Sequence, residues 1–290
     1  MVFALRSTNI SAKEALREGV ARLQRAHIES ASLDARLLLE HVLGTTREHL
    51  LFTFDAPLSE TQDTAYRELI AKREKRQPVA QLTGKREFWG MNFKVSGATL
   101  DPRPDSETLI EALVARCDRE AKLRILDLGT GTGCLLLALL KEFPHATGVG
   151  VDISEEALCV ARENAVHNEL QGRCEFKTSD WFKNIEGSFD IIVSNPPYIE
   201  TAAISGLTPE VAKFEPRLAL DGGADGLDCY RAIVAQLPQK LAPEGTAALE
   251  IGFGQLMAME ELIASHGLLI AGVKRDLNNI PRCILMTRTN

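Results

Sequence analysis

The chain has 290 residues, of which 45% are hydrophobic and 25% charged, the composition of a soluble globular protein with room for one large domain or two smaller ones. Its formal net charge of -7 argues against a nucleic acid as the main partner, because proteins that bind polyanions are usually basic. No apolar run approaches the length of a membrane span, and the opening MVFALRSTNI has no signal-peptide cleavage site. We therefore expect a cytoplasmic protein without a membrane partner.

The six cysteines and six histidines show no metal-site pattern. None of the cysteines forms a C-x-x-C pair, and the histidines lack the spacing of metal ligands. Several cysteines, Cys134 and Cys159 among them, lie in apolar runs. We predict buried free thiols, a reducing compartment and no bound metal.

Residues 1–80 predict a small all-α domain. Two capping boxes mark helix starts, and they are formed by Ser11 with Glu14 and by Ser59 with Gln62. Between them, a second helix is predicted to end at Gly44. The apolar face predicted for that helix consists of Leu33, Leu37, Leu38 and Val42.

The basic run that closes this domain allows two interpretations. It consists of Lys72, Arg73, Lys75 and Arg76. A charge run of this kind is usually the solvated face of a helix, but it could also contact an RNA-bearing or acidic partner.

Residues 81–105 predict a β-hairpin or linker, because GKREFWGMNFKV and TLDPRPDSE combine short apolar runs with Gly and Pro. Residues 106–290 then alternate strand-like and helix-like patterns, which predicts a mostly parallel sheet with helices on both faces. The last two of the predicted strands favour an antiparallel hairpin at one edge. The predicted strands are Arg124–Leu128, Thr147–Val151, Glu175–Thr178, Ile191–Ser194, Ala247–Ile251, Leu268–Lys274 and Cys283–Thr287.

The segment LRILDLGTGTGCLLLALL has the pattern of a strand, a glycine turn and a helix. Gly129, Gly131 and Gly133 permit a tight turn and a close approach of the backbone to a ligand. No lysine follows them, so the turn is not a Walker-type phosphate loop, and its spacing differs from that of dinucleotide-binding proteins. The glycines alone fit either a ligand site or a plain tight loop.

Polar and aromatic residues follow the neighbouring strands. Asp152 ends the second strand, where a carboxylate can accept hydrogen bonds from ribose hydroxyls. Asp127 ends the first strand, where it can face the charged amino group of a ligand or cap the turn. Asp180 and Trp181 follow the third strand, and Trp181 offers a flat face for an adenine ring or packs under a loop.

The fourth predicted strand delivers a rigid polar segment, SNPPYIE. Pro196 and Pro197 have no backbone N–H and a fixed φ, and each favours an extended residue before it. The segment therefore displays carbonyl oxygens, the Asn195 amide and the Tyr198 ring in a fixed frame at the edge where α/β sheets bind ligands. Such a frame suits a small planar group that is rich in N–H donors.

With these motifs the sequence resembles class I S-adenosylmethionine-dependent methyltransferases. Among them it is similar to the glutamine N(5)-methyltransferases that modify peptide chain release factors, and the resemblance covers nearly the whole chain. NPPY alone is shared with adenine-N6 methyltransferases, whereas DPRPDSE and EPRLAL narrow the match. The segments that carry it are REFWG (86–90), DPRPDSE (101–107), DLGTGTG (127–133), VDIS (151–154), NPPYIE (195–200), EPRLALDGGADGLDCYR (215–231) and EIGFGQ (250–255).

The linker motif departs from the family pattern at two positions. Family members more often have IPRPDTE or IPRPETE, so Asp101 replaces an apolar residue and Ser106 replaces a threonine. Ser106 keeps the hydroxyl, whereas Asp101 is predicted to weaken packing between the linker and the catalytic domain.

The resemblance implies an α/β fold: a Rossmann-like, mostly parallel seven-stranded sheet with an antiparallel edge strand. A helical substrate-recognition domain, 1–80, and a β-hairpin linker, 81–105, would precede the catalytic domain, 106–290. The implied cofactor is S-adenosyl-L-methionine, and the implied substrate is the glutamine of the Gly-Gly-Gln tripeptide in release factors. We expect a monomer that docks the release factor through its helical domain and has no direct nucleic-acid substrate.

The resemblance also implies roles for individual residues. The substrate amide would be held by Asn195, Pro196, Pro197 and Tyr198, of which Asn195, Pro196 and Tyr198 are predicted to be catalytic. Asp127 and Asp180 are added to the predicted cofactor site because of their positions at the end of the first strand and after the third. The residues predicted to line the cofactor are Asp127, Gly129, Thr130, Gly131, Thr132, Gly133, Asp152, Asp180, Trp181 and Asn195.

The chemistry of amide methylation explains why these groups are needed. A carboxamide nitrogen shares its lone pair with the carbonyl and carries two N–H donors. The Asn195 side-chain oxygen and the Pro196 carbonyl can accept both, which holds the nitrogen in line with the methyl donor and stabilises developing positive charge. Tyr198 can pack against the flat amide.

Three alternatives remain open at this point. A glutamine methyltransferase acting on a ribosomal protein could share the active site. An adenine-N6 methyltransferase of DNA or RNA would need a basic groove, which the acidic C-terminal part of the chain disfavours. A binding protein that lost catalysis is disfavoured by the combination of glycine turn, Asp152 and NPPY.

Overall fold

In a computed structural model that describes residues 10–289, the chain folds as two units, Met1–Gly84 and Lys85–Asn290. The first unit is helical and has its own apolar core, in which Leu23, Leu38 and Ile70 are buried. The helices described in it are α1 (Ala12–Arg25), α2 (Ala31–Leu43), α3 (Arg47–Phe52), α4 (Glu60–Glu74) and α5 (Val79–Thr83).

Both predicted capping boxes are confirmed, at Ser11 before α1 and at Ser59 before α4. Gly44 adopts a left-handed conformation directly after α2, as predicted for a helix stop. The predicted apolar face of α2 is wrong in register, because Leu33 is 48% exposed. Since leucine occupies three successive positions in this helix, two adjacent faces are possible, and the small alanines select the buried one. The residues that α2 buries are Ala31, Asp34, Ala35, Leu38 and Leu39.

The basic run at the carboxyl end of α4 is divided between interior and surface. Arg73 is buried, and its Nε donates to Asp34 Oδ2 at 2.7 Å. Arg76 Nη2 donates to the carbonyls of Ala26 and His27 at 3.1 and 3.0 Å. Both arginines therefore bind groups of the helical unit itself. The run as a whole is not a fully solvated helix face.

The second unit begins with the predicted hairpin, formed by β1 (Lys85–Phe88) and β2 (Met91–Lys94). The strands after it are β3 (Arg124–Leu128), β4 (Thr147–Asp152), β5 (Cys174–Thr178), β6 (Phe189–Ser194), β7 (Leu241–Glu250), β8 (Leu268–Arg275) and β9 (Pro281–Arg288). The helices of this unit are α6 (Glu107–Arg116), α7 (Cys134–Glu142), α8 (Glu155–His167), α9 (Pro209–Phe214), α10 (Asp228–Val234), α11 (Leu237–Lys240) and α12 (Leu256–Ser265).

These strands form a seven-stranded sheet in the order β5-β4-β3-β6-β7-β9-β8. The pairs from β5 to β7 are parallel, whereas β9 runs antiparallel to both β7 and β8, so the last two strands form an antiparallel hairpin at one edge. After β3, the strands β4 and β5 are added on one side of it, and β6 then pairs with its other side. The crevice between the carboxyl ends of β3 and β6 is therefore the topological switch point, where sheets of this kind bind ligands.

Alternate residues of the central strands face opposite layers of the core, as expected for a sheet covered on both sides. On β3, Ile125 packs in one buried cluster with α6 and α7, whereas Leu126 and Leu128 pack in the other with α10 and α12. Cys283 is also buried, but Cys159 is exposed, so the prediction of buried thiols is wrong for Cys159. Within residues 10–289, no helix combines the length and the apolar character needed to cross a membrane.

Candidate active site

The strand register brings three predicted site residues to the same edge of the sheet. Leu128 of β3 pairs with Val151 of β4 and with Ser194 of β6. The residues that directly follow these three in the chain are Gly129 after Leu128, Asp152 after Val151 and Asn195 after Ser194. Two clefts open at this edge, and both include Gly129 and Asp152 in their walls. The linker-side cleft is lined by residues 99–103, Ser106, 129–132, Asp152 and Asn195, and the tryptophan-side cleft by Gly129, Asp152, Asp180, Trp181, Pro197 and Leu218.

The glycine turn is tied to the neighbouring strand β4. The Thr130 N–H donates to the Val151 carbonyl at 2.8 Å, and the Gly131 N–H donates to Asp152 Oδ2 at 2.9 Å. Gly129, Gly131 and Gly133 have φ values of 69°, 53° and 80°, a region that favours glycine. The left-handed Gly133 leads directly into α7, as the sequence predicts.

Asp152 links the turn to the next helix through its two carboxylate oxygens. Oδ2 accepts from Gly131, and Oδ1 accepts from the Ser154 N–H at 2.9 Å. Ser154 in turn caps α8, because its Oγ accepts from the Ala157 N–H at 3.2 Å. Each oxygen of Asp152 therefore has a fixed position and one further lone pair that can face a hydroxyl in the clefts.

Trp181 packs its ring against the glycine turn. A Cβ built on Gly129 would lie 3.6 Å from Trp181 Cζ3, so the ring edge lies directly beside the turn. Trp181 itself has a φ of 50°, which is uncommon for a bulky residue. The exposed Asp180 lies beside it on the same wall.

Asp127 lies beneath the turn rather than on its surface, since it is 0% exposed. Its Oδ2 accepts from the Thr130 hydroxyl at 2.6 Å, whereas Oδ1 makes no hydrogen bond to any group between residues 10 and 289. Burial raises the pKa of Asp127 to about 7, against the lowering effect of the Thr130 hydroxyl. Its predicted contact with a ligand amino group stays a prediction.

The raised pKa of Asp127 predicts a pH-dependent stability. Because the folded state holds a proton that the unfolded carboxyl releases near pH 3.8, folding is penalised as pH rises from that value to about 7. Asp127→Asn removes this titration. We therefore expect the difference in unfolding free energy, variant minus wild type, to grow by about 1–3 kcal/mol when the pH is raised from about 5 to about 8. Urea unfolding at both pH values measures the gain, and a difference that does not vary with pH would contradict it.

The NPPY segment leaves β6 with its polar groups held from below. Asn195 Nδ2 donates to Ser106 Oγ at 3.0 Å, and the Tyr198 hydroxyl donates to Glu250 Oε1 at 3.2 Å. Gln255 Nε2 donates to the Tyr198 carbonyl at 2.9 Å. A Cβ on Gly222 would lie 2.8 Å from Tyr198 Cα, so the loop fits only because glycine lets the two backbones approach.

Ser106 and Glu250 are residues of the site that the sequence did not predict. The Ser106 hydroxyl donates to Glu250 Oε2, and both residues are buried. Burial raises the pKa of Glu250 to about 7. Ser106 lies in DPRPDSE and Glu250 in EIGFGQ, two segments that carry the family resemblance. Their position in these segments is the sequence feature that could have marked them as site residues.

Two buried carboxyls lie near the linker-side cleft, Asp101 in the linker and Glu215 directly after α9. Asp101 and Glu215 are buried, and Arg103 donates to Glu215 Oε1. Burial raises the pKa of both carboxyls, and the nearby Arg103 opposes the rise. Asp101 Oδ1 accepts no hydrogen bond within the part of the chain that the structure describes, although Asp101 lines the linker-side cleft. That oxygen is available to a donor group of a ligand.

Comparisons with known proteins show which family the chain belongs to. The family model of the PrmC N-terminal domain matches residues 14–84, and that of the methyltransferase small domain matches residues 96–212. A release factor glutamine methyltransferase of Rhodospirillum rubrum is 46% identical over 273 residues, which cover 94% of this chain and 84% of the relative. The chain belongs to the release factor glutamine methyltransferase family. Another release factor glutamine methyltransferase, from Cereibacter sphaeroides, is 44% identical over 273 residues, 94% of this chain and 97% of its own length.

Release factor glutamine methyltransferases are S-adenosylmethionine-dependent enzymes, and the fold agrees with that class. The ribosomal protein L11 methylase of Lactobacillus delbrueckii subsp. bulgaricus superposes with a TM-score of 0.52 at 19% identity, covering 67% of this chain and 83% of that one. At this identity the likeness supports the fold alone. The Rossmann-like fold class that the sequence implies is confirmed.

Proposed function

We propose that this member of the family transfers the methyl group of S-adenosylmethionine to the side-chain amide nitrogen of the glutamine in the Gly-Gly-Gln motif of peptide chain release factors. The observation that carries the proposal is the meeting of Asn195 with Gly129 and Asp152 at the switch point of the sheet. This arrangement supports a site in which an amide-binding segment lies next to a nucleoside-binding turn. The release factor is named as the substrate because the chain belongs to this family.

The clefts fit S-adenosylmethionine. Apart from chain neighbours, no atom of residues 10–289 lies within 4 Å of where a Cβ on Gly131 would stand, so the turn leaves open space for a ligand. Asp152 can accept from ribose hydroxyls on the same side, and the Trp181 face can stack with an adenine ring. The unpaired Asp101 oxygen suits the ammonium group of the methionine part, because a buried acceptor gains most from a charged donor.

The protein's own task is to hold the acceptor amide. When bound, S-adenosylmethionine supplies a methyl group on a sulfonium sulfur. The Asn195 side-chain oxygen and the Pro196 carbonyl accept the two N–H groups of the substrate amide and orient its nitrogen. Because both acceptors are fixed before the substrate arrives, they stabilise the positive charge on nitrogen without reorganising. The nitrogen gains the methyl group and then releases one proton to water.

A transfer assay with radiolabelled S-adenosylmethionine tests the function. The substrates are a release factor, the same factor with its Gly-Gly-Gln glutamine changed to alanine, bulk ribosomal protein, and DNA or RNA. We expect label on the unchanged release factor only. Label on ribosomal protein would keep the active site and replace the substrate, and label on nucleic acid would overturn the amide chemistry. Light scattering tests the accompanying proposal that the enzyme is a monomer.

The helical unit is our candidate for docking the release factor. Its helix α3 presents Leu51 and Phe52 with 58% and 88% of their surface exposed. Aromatic residues are enriched in protein interfaces, and an exposed apolar side chain gains free energy when a partner covers it. The match of residues 14–84 to a domain model of this family supports a role for the unit in the family's activity.

Replacing Phe52 with serine tests that docking role. We expect the KM for a release factor to rise about tenfold, because a large apolar contact is lost, while kcat and thermal stability stay near wild type. Leu33→Ser is the matched control, since Leu33 is exposed on α2. An unchanged KM in the Phe52 variant would move docking away from α3.

A further inference from the structure

A chain of hydrogen bonds runs from a buried carboxylate to the segment that holds the substrate amide. Glu250 ends β7 and is 1% exposed. Its Oε2 accepts from the Ser106 hydroxyl, and Ser106 Oγ accepts from Asn195 Nδ2 at 3.0 Å. Its Oε1 accepts from the Tyr198 hydroxyl at 3.2 Å. Glu250 is therefore hydrogen-bonded directly to Tyr198 and linked to Asn195 through Ser106, and it lines neither cleft.

The direction of these bonds decides which end of the Asn195 amide is available to substrate. A serine hydroxyl has one proton, and an ionised carboxylate can only accept. With its proton committed to Glu250, Ser106 can only accept from Asn195, which turns Nδ2 inward. Oδ1 must then face away from Ser106. If Glu250 donated instead, the Ser106 proton would be free to bond Oδ1, and Nδ2 would face the cleft.

We propose that Glu250, acting through Ser106, is the positioning residue that keeps the Asn195 side-chain oxygen, rather than its NH2 group, directed at the substrate amide. The inference rests on the proposed function, since only a substrate with N–H donors needs that orientation. An Asn195 turned the other way would present two donors to the two donors of the glutamine amide, which would repel it. The second Glu250 oxygen fixes Tyr198 at the same time.

The surroundings of Glu250 make this orientation sensitive to pH. Burial raises its pKa to about 7, against the hydrogen bonds from Ser106 and Tyr198 and the positive charge of Arg282. Arg282 is itself paired with Asp105 and Asp276 at 3.0 and 3.1 Å, and Asp105 raises the Glu250 pKa further. The other titratable groups that face the carboxylate are Cys134, Cys283 and Tyr230, and they carry no charge near neutral pH because burial raises the pKa of each.

Protonation below about pH 7 turns Glu250 into a possible donor and releases the constraint on Asn195. The methyl-transfer rate is therefore expected to rise with pH through this value. Glu250→Gln makes the same change permanent, because the amide NH2 can donate to Ser106 at every pH. The variant should lose the rise with pH as well as most of the rate.

Kinetics of three variants test the inference. For Glu250→Gln and Ser106→Ala we expect kcat to fall about 10²-fold, with the KM for release factor and the Kd for cofactor near wild type. The double variant should be little worse than Ser106→Ala, because Glu250 acts through Ser106. Ser106→Thr keeps the hydroxyl and introduces the residue more common in the family, so it should restore most of the rate that Ser106→Ala loses. Wild-type kcat in Glu250→Gln, or additive losses in the double variant, would overturn the proposal.

A measurement without substrate separates this inference from the proposed function. In the cofactor-free protein, the side-chain 15N–1H signals of Asn195 should titrate near pH 7 in wild type and not in Glu250→Gln. Signals that do not titrate in wild type would overturn the inference even if methyl transfer is normal. A wild-type enzyme that titrates as expected but labels no release factor would instead overturn the proposed function. Melting temperatures identify any variant that does not fold. If Glu250→Gln does not fold, Ser106→Ala provides the test of the inference.

Discussion

Replacing Asn195 with alanine is expected to lower kcat for methyl transfer by on the order of 10²–10³, as typically follows the loss of one preorganised acceptor or donor at a reacting centre. The variant removes the oxygen that accepts one N–H of the substrate amide. The Pro196 carbonyl remains, so the substrate still binds but its nitrogen is no longer fixed. The Kd for cofactor should stay near wild type, because Gly131 and Asp152 keep their bonds.

Calorimetry of cofactor binding and single-turnover transfer to a release factor separate these effects. Asn92→Ala is the matched control, because Asn92 is exposed on β2 and its side chain has no part in the proposed site. Near-wild-type turnover in Asn195→Ala would remove Asn195 from the mechanism. A large loss of cofactor affinity would assign it to the cofactor rather than to the amide.

The parts of the site that the sequence predicts are those whose conformation is determined locally. Glycine at alternate positions after a strand permits a turn with left-handed residues, and Gly129, Gly131 and Gly133 adopt that conformation. Two successive prolines exclude a helix after β6, so NPPY leaves the sheet as an extended segment. Parallel strands end at one edge, so even the meeting of Asp152 with the glycine turn follows from alternation of strand and helix.

The parts that the sequence does not predict are choices of partner between distant segments. Ser106 and Glu250 are 144 positions apart, and nothing in either local pattern indicates that the glutamate is buried and bonded to the serine. The buried face of α2 is a similar case, because a run of leucines fits two neighbouring faces and packing selects between them. Arg73 looks solvated in a basic run until Asp34 is found opposite it.

Replacing Asp152 with alanine is expected to raise the Kd for S-adenosylmethionine by about 10–10²-fold, the cost of losing one hydrogen bond to a charged group. The carboxylate is proposed to accept from the ribose, and it also holds the turn, since its oxygens accept from the N–H groups of Gly131 and Ser154, each at 2.9 Å. The alanine variant loses both functions. At saturating cofactor, kcat should recover to a large part of the wild-type value, because Asn195 and Pro196 are untouched.

The recovery of kcat distinguishes a binding role for Asp152 from a catalytic one. Titration calorimetry gives the Kd, and transfer rates at rising cofactor concentration give kcat and KM separately. Asp190→Ala is the matched control, because Asp190 lies at the amino end of β6, away from the clefts, and accepts from the Arg124 N–H at 2.7 Å. A wild-type Kd in Asp152→Ala would show that the ribose is bound elsewhere. A kcat that stays low at saturation would mean that the glycine turn, once released from Asp152, no longer aligns the methyl group with the substrate nitrogen.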